Sequence, residues 1–324
     1  MREVTVEEYL DFLKRRGSVS VEGQEVVLKP VEVRRLSPRP DELTDVSTTV
    51  WSFPKRGSWA THRGDYRGNW PPQIPRALML MYTRPGDLVL DQMMGSGTTV
   101  VEAKLLGRNA IGVDINPEAV MLAMHRLYYL EKALERHAGE ATLAGYLEGL
   151  GGEGLDLDAV RRAWYKLYVG DARNLDKLED ESVDLIATHP PYFNIIRYSR
   201  RGGGVEGDLS RARSIEEYLK WMRGIARESY RVLKPGKHCA ILVGDTRIGK
   251  HYVPITHHVL RVFLEEGFIL REEVVKIQHK MKTTREFWSR RKRDFLLIYH
   301  EKLFIFRKPV DEKDRRRHRY SGSL

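Results

Sequence analysis

Two short stretches of this chain hold residue types whose spacing can do chemistry. In the first, the apolar run Leu88-Val89-Leu90 ends in a carboxylate and turns through two glycines: Asp91-Gln92-Met93-Met94-Gly95-Ser96-Gly97-Thr98-Thr99. A buried strand ending at Asp91, a turn without Cβ atoms and a helix starting near Thr98 would direct free backbone N–H groups at a small polar ligand. A phosphate-binding loop needs Lys after its last glycine, where Thr98-Thr99 stands. A dinucleotide fingerprint needs a third glycine where the chain has Val100. A plain glycine-rich turn stays open as the alternative to a ligand floor. The second stretch, Thr188-His189-Pro190-Pro191-Tyr192-Phe193, follows the apolar run Val183-Asp184-Leu185-Ile186-Ala187. Neither proline can donate to a sheet ladder, so two at a strand end are costly, and a turn built this way holds something.

A third acid fits the same picture. The run Ala110-Ile111-Gly112-Val113 ends at Asp114, followed by Ile115-Asn116-Pro117. A carboxylate at that strand end, about 20 residues past the glycines, is placed to accept both ribose hydroxyls of a nucleoside. Taken together, the first stretch resembles motif I of S-adenosylmethionine-dependent methyltransferases, in particular the nucleobase amino-methyltransferases. The second resembles their (D/N/S)-P-P-(Y/F) motif, and the resemblance covers residues 66–305. It implies an α/β fold with a Rossmann-like seven-stranded class I methyltransferase sheet, mostly parallel, closed by a C-terminal antiparallel hairpin. The motifs stand in the unpermuted order.

The resemblance also implies roles. S-adenosylmethionine would rest on Asp91, Gln92, Met93, Gly95, Ser96, Gly97, Thr98 and Thr99, with Asp91 toward its cationic methionine end. Asp114 and Ile115 would meet the ribose, and Asp171 and Ala172, after Lys166-Leu167-Tyr168-Val169, the adenine. A solvent-facing turn acid is the competing reading of Asp171. Gln73 and Pro75, in Trp70-Pro71-Pro72-Gln73-Ile74-Pro75, would belong to the cover over the methionine part, ahead of a helix with Leu78, Leu80 and Met81 on its apolar face. His189, Pro190, Pro191 and Tyr192 would form the catalytic corner. An amine conjugated to a base ring is a poor nucleophile, so the corner must accept its hydrogens and align the nitrogen lone pair with the sulfonium methyl. Tyr192 would stack on a base extruded from any duplex. The chain departs from the family at His189, where Asp, Asn or Ser is usual. A neutral imidazole can accept a hydrogen bond and an imidazolium cannot; a purely structural histidine is the alternative.

The remaining elements follow from periodicity. Thr5-Val6-Glu7-Glu8 reads as a capping box opening a helix that ends before Gly17, and Ser18–Val21 with Glu25–Leu28 as a hairpin. Residues 1–50 are expected to form a small helix-hairpin appendage, 51–310 the methyltransferase domain and 311–324 a basic tail. Between Trp51 and Trp70, aromatics interleave with Lys55, Arg56, Arg63 and Arg67, which suits either bases and phosphates or an ordinary core. Closing strands are expected at Phe268–Ile277 and Phe295–Tyr299. Cys239 lies mid-strand as a core residue.

Composition limits the function classes. The chain has 324 residues, a net charge of +10 and one cysteine, which excludes an intrachain disulfide and cysteine-rich metal sites. No metal is expected. Five Asn and four Gln against 31% charged residues resemble a heat-adapted protein. No run approaches the ~20 apolar residues of a membrane span, and the charged start Met1-Arg2-Glu3 suits a cytoplasmic protein. The positive charge fits a nucleic-acid partner. Arg197, Arg200 and Arg201 could close over a nucleotide or be disordered. The segment with Lys280, Lys282, Arg285, Phe287, Trp288, Arg290, Arg291, Lys292 and Arg293 has seven cations to one acid and is the best phosphate-and-base surface. Thr188-His189-Pro190-Pro191-Tyr192 looks closer to the T-S-P-P-Y form associated with cytosine than to D-P-P-Y, so the resemblance implies cytosine N4 rather than adenine N6. No uninterrupted segment is large enough for a separate recognition domain, which favours structured RNA such as ribosomal RNA over DNA. Protein-glutamine methylation and a non-catalytic nucleic-acid-binding module are the readings from other classes.

Overall fold

The computed structural model describes residues 1–21, 24–66, 68–137, 157–193, 207–279 and 294–323. In chain order its elements are β1 (Arg2–Val4), α1 (Val6–Arg15), β2 (Ser18–Val21), β3 (Gln24–Val27), β4 (Val50–Ser52), α2 (Gln73–Tyr82), β5 (Leu88–Asp91), α3 (Thr98–Leu105), β6 (Asn109–Asp114), α4 (Pro117–His137) and α5 (Leu157–Arg162). There follow β7 (Tyr165–Val169), β8 (Val183–Thr188), α6 (Ile215–Val232), β9 (Leu233–Val243), β10 (Thr246–Ile248), β11 (His251–Val253), α7 (Ile255–Glu265), β12 (Ile269–Ile277), β13 (His300–Arg307) and α8 (Glu312–Arg317).

One sheet organises the chain, in the order β1-β7-β6-β5-β8-β9-β13-β12-β4. Strands β7, β6, β5, β8 and β9 run parallel, while β13 is antiparallel to both β9 and β12. These seven are the expected mostly parallel sheet with its closing hairpin, and β5 precedes β8 in the unpermuted order. The N-terminal segment adds a strand at each edge. β1 lies antiparallel on β7 and β4 parallel on β12.

The apolar runs are continuous because each strand feeds two cores, one on each face. Val89, Leu185, Ala187, Leu242, Leu303 and Ile305 pack with Ile74, Leu78, Val101 and Leu127 of α2, α3 and α4. Their neighbours Leu90, Ile186, Ile241, Val243, Phe304 and Phe306 pack with Tyr218, Met222, Val259 and Phe263 of α6 and α7. Each fully buried side chain of this kind contributes about 1.5–3 kcal/mol. Trp51, Phe53 and Trp59 are all buried, so these aromatics belong to the core. Cys239 is likewise wholly buried, and burial raises its thiol pKa.

Two expectations are corrected. The last strand is His300–Arg307, not Phe295–Tyr299. Only the later run alternates Leu303 and Ile305 toward one core and Phe304 and Phe306 toward the other; Leu296 is 82% exposed beyond the sheet. On α2, Ile74, Ala77 and Leu78 are buried, whereas Leu80 and Met81 face outward, 51% and 45% exposed. Among the described residues, no helix is long and apolar enough to cross a membrane.

Candidate active site

The glycine turn joins β5 to α3 at the C-terminal rim of the parallel strands. Gly95 and Gly97 have φ of 51° and 80°, the left-handed region that a Cβ disfavours. A Cβ on Gly95 would also lie 2.9 Å from the Tyr66 ring, and one on Gly97 2.9 Å from the Ala123 Cβ of α4. Asp91, at the strand end, is only 3% exposed. Its carboxylate accepts from Thr99 Oγ1 at 2.5 Å, Thr188 Oγ1 at 2.9 Å and the Met93 N–H at 3.2 Å. Burial outweighs these donors and pushes its pKa up to about 7. The Thr188 bond is decisive for geometry, since Thr188 ends β8 and precedes His189. It fixes the two sequence stretches side by side on adjacent parallel strands.

The other turn residues divide by what they touch. Asp114 is half-buried and accepts from the Gly95 N–H at 2.8 Å and the Asn116 N–H at 2.9 Å, one on each oxygen. Burial raises its pKa to about 6, with Asp208 nearby adding to the effect. Ser96 Oγ accepts from Arg126, which also pairs with Asp65, and Thr98 donates to Asn69. Gln92 points away, donating to Ser229 of α6 at 2.8 Å. Gln73 is buried and fully engaged with the chain before it, donating to the Glu42 and Lys55 carbonyls and accepting from the Gly57 N–H. Pro75 is buried on α2, Ala172 is buried, and Met93 and Ile115 are partly exposed.

Asp171 has a partner that the sequence reading missed. Arg173, two residues on, donates to both of its oxygens at 2.5–3.0 Å through Nε, Nη2 and its backbone N–H. The same guanidinium reaches the Gly207 carbonyl at 3.2 Å and lies 4.9 Å from the Trp221 ring centre. An adenine amino group could reach Asp171 only by displacing one of these bonds.

At the double-proline corner, His189 Nε2 lies 2.6 Å from Tyr192 Oη, and the Tyr192 hydroxyl donates to Glu301 Oε1 at 2.7 Å. Lys276 Nζ donates to Glu301 Oε2 at 2.7 Å. The imidazole stacks on Trp70, with ring centres 5.8 Å apart and planes 16° from parallel. Its Nδ1 is buried and makes no well-aligned hydrogen bond among the described residues, although the Gly68 backbone lies close enough to act on the ring. Burial lowers the pKa of His189 to about 4; Lys276 and Arg56 add to this, and Glu301 and the Gly68 backbone oppose it. Tyr218 donates to the Pro191 carbonyl at 3.2 Å, and Pro190 is buried. Trp70, Lys276 and Glu301 were not expected here. Trp70 was legible as an aromatic beside the Pro71-Pro72 turn, but Lys276 and Glu301 lie on β12 and β13 without any motif.

Arg197, Arg200, Arg201 and the whole set from Lys280 to Arg293, namely Lys280, Lys282, Arg285, Phe287, Trp288, Arg290, Arg291, Lys292 and Arg293, lie outside the described residues. Of the cations between Trp51 and Trp70, Arg56 donates to the Asn69 and Trp70 carbonyls and Lys55 pairs with Asp41, while Arg67 lies outside the described residues.

The donor set fits S-adenosylmethionine. Each oxygen of Asp114 keeps acceptor capacity for a ribose hydroxyl after its backbone bond, and Asp91 supplies a carboxylate beneath the turn. Residues 5–125 and 183–322 match the family model described as DNA methylase. The DNA adenine methyltransferase YhdJ of Escherichia coli (strain K12) is 36% identical over 101 residues, covering 30% of this chain and 33% of that protein. The type II methyltransferase M.BglII of Bacillus subtilis is 31% identical over 152 residues, covering 46% of this chain and 36% of that protein. The matched stretches thus span about a third of the length of these relatives. Among solved structures, TrmN from Thermus thermophilus is similar with a TM-score of 0.41 at 20% identity, over 75% of this chain and 50% of that one.

Proposed function

This chain belongs to the DNA methylase family, and from that premise we propose that it moves a methyl group from S-adenosylmethionine to an exocyclic amine of a DNA base, with cytosine N4 the expected amine. The observation that carries the reading is the Asp91 bridge. One buried carboxylate accepts from Thr99 beside the glycine turn and from Thr188 beside the double-proline corner. The cofactor floor and the amine acceptor are therefore held in one geometry, as in-line displacement requires.

The bound cofactor supplies an electrophilic methyl on a sulfonium. The chain's own residues do the rest. Asp114 accepts from the ribose hydroxyls. His189, neutral at pH 7, accepts a hydrogen of the target amine and draws the nitrogen lone pair out of conjugation with the ring. Trp70 keeps the imidazole plane fixed. Tyr192 borders the place of the base, and its ring is packed against Gly244, where a Cβ would approach to 2.7 Å. The base must leave the duplex to reach this corner.

The family description and the names of the relatives favour DNA over the RNA expected from the sequence. A described surface beside the corner suits nucleic acid. The β10–β11 hairpin starts just after Gly244 and presents Arg247, Lys250 and His251 with exposed Ile248 and Tyr252. It borders a cleft of about 330 Å³ whose other wall includes Asp294 and Phe295. The Arg247 guanidinium lies 5.5 Å from the Tyr252 ring centre and 5.3 Å from that of Phe295. Cations among aromatic faces favour phosphate and base together. The likeness of Thr188-His189-Pro190-Pro191-Tyr192 to the T-S-P-P-Y form supports cytosine N4.

The test supplies labelled S-adenosylmethionine with genomic DNA, total RNA and protein in separate reactions, then identifies the product nucleoside by mass. N4-methylcytosine in DNA is the expected product. N6-methyladenine would reassign the base, and label confined to RNA or polypeptide would overturn the reading.

A further inference from the structure

We propose that the β10–β11 hairpin is a wedge for duplex DNA: Ile248, beside its tip, enters the base stack and takes up the space that the target base leaves. The inference rests on the reading of the chain as a DNA amino-methyltransferase and deepens it, by naming the element that keeps the duplex open. An isoleucine 48% exposed is ordinary by itself. Its setting singles it out. The strands pair Thr246 with Val253, Arg247 with Tyr252 and Ile248 with His251, so Gly249 and Lys250 alone form the tip. Both have positive φ, 54° and 70°, as a two-residue turn matched to the twist of its strands requires. Lys250 adopts the left-handed region that a side chain disfavours, and the result is a narrow finger ending in Ile248, Gly249, Lys250 and His251.

The finger is braced on one face and exposed on the other. Side chains alternate across a hairpin, so Arg247 and Tyr252 share one face, Ile248 and His251 the opposite one. On the first, Arg247 donates from Nε to the Leu296 carbonyl at 3.1 Å and from Nη1 to the Lys250 carbonyl at 2.8 Å. At the root, the Tyr252 hydroxyl donates to Asp245, which also accepts from the Thr256 N–H at 2.8 Å and Thr256 Oγ1 at 3.0 Å. On the second face, Ile248 and His251 are both exposed. Arg247, Lys250 and His251 surround this one apolar side chain, Lys250 sharing its charge with Asp294 at 3.2 Å. Cations flanking a single apolar residue suit phosphates on either side of a base step. A protein partner would favour a broader apolar patch. The hairpin also starts at the right place. A Cβ on Gly244 would lie 2.7 Å from the Tyr192 ring, and Ile248 is four residues on, at most about 14 Å along the chain. Finger and corner thus reach the same stretch of duplex. A base drawn out of the stack leaves its neighbours unstacked, and an apolar side chain between them offsets that loss.

The test uses the full chain and two copies of one plasmid made by polymerase, one with guanine and one with inosine opposite every cytosine. Inosine keeps the major-groove edge of guanine but pairs more weakly with cytosine. Ile248→Ala should lower kcat on the guanine copy about tenfold while affinity for S-adenosylmethionine holds. The inosine copy should recover most of that loss, because less pairing has to be broken. Ile248→Leu should keep most of the rate on both. In parallel, a copy carrying 2-aminopurine in place of adenine should brighten as the wild type binds and unstacks bases, and brighten less with Ile248→Ala at equal occupancy. An alanine variant as fast as the wild type on the guanine copy, an equal loss on both copies, or a brightening indifferent to residue 248 would each sink the proposal. A wild type that binds the plasmid but transfers no methyl to it removes the functional reading, and the 2-aminopurine signal then decides the wedge alone. Absence of any binding to duplex DNA removes both.

Discussion

Asp114 and His189 have opposite pH signatures, because burial disfavours the charged form of each. Asp114 is protonated below about 6 in the free protein, and a carboxylate accepts ribose hydroxyls better than a carboxylic acid does. Affinity for S-adenosylmethionine is therefore expected to rise as pH increases through about 6, and titration calorimetry on Asp114→Asn should give a flatter profile. For His189 the acid limb of methyl transfer should fall near pH 4, where the imidazole becomes charged; an unchanged limb in His189→Ala would assign it elsewhere. The stability signs also differ. His125, His189 and His238, each lowered to about 4, resist a proton that the unfolded chain binds near pH 6.5, so their contribution is lost as pH falls from about 6.5 toward 4. Asp91 and Asp114 contribute in the other direction, fully below the ordinary carboxylate range and progressively less as pH rises through about 6 to 7. The motif residues were readable because their meaning is local: a carboxylate at a strand end, a glycine where φ is positive, a double proline. Glu301 was not, because an acid in the run Glu301-Lys302-Leu303 has no local signature. Its bond to Tyr192 arises only when β13 pairs with β9. Arg173 stands only two residues after Asp171, but nothing in the run Gly170-Asp171-Ala172-Arg173 says that the guanidinium folds back onto the carboxylate.

Each element beside the site depends on a small number of contacts. Gly97 caps α3 in the left-handed region against Ala123, so Gly97→Ala should destabilise the fold by about 1–3 kcal/mol in denaturant titration. Behind the same helix, Glu102 is completely buried and accepts from Trp59 Nε1 at 2.6 Å, His62 Nε2 at 2.7 Å and Arg76 at 3.2 Å. These bonds fasten residues 59–62 and α2 to α3. Glu102→Ala would leave three buried donors unpaired and should cost about 3–5 kcal/mol, measurable in the same titration. The β10–β11 hairpin is a different case, exposed and, in the proposed function, facing the nucleic acid. Arg247→Ala should raise KM for DNA several-fold and leave cofactor affinity unchanged, as steady-state kinetics and calorimetry would report. Elements were legible wherever apolar runs met turn residues, as at β5, β8 and Gly107. The final strand was set five residues early because Phe295-Leu296-Leu297-Ile298 is as apolar as Leu303-Phe304-Ile305-Phe306. Pairing with β9 decided between them, and pairing is not local.

At the scale of the molecule, a net charge of +10 and the cationic hairpin predict that affinity for DNA falls steeply with salt while cofactor affinity changes little. Filter binding across a salt series checks this. The mostly parallel sheet with its closing hairpin was legible through the resemblance that two motifs carry, whereas the two edge strands were not: three-residue segments such as Arg2–Val4 and Val50–Ser52 carry too little periodicity to register. Those edges have a temporal consequence. Val50 pairs with Val275, so a strand translated early has no partner until the ribosome has made more than two hundred further residues. The seam between β4 and β12 should therefore form late in maturation. Pulse-labelled hydrogen exchange during refolding should find the Val275 amide, which donates to Thr49, protected after the amides of β5 and β8.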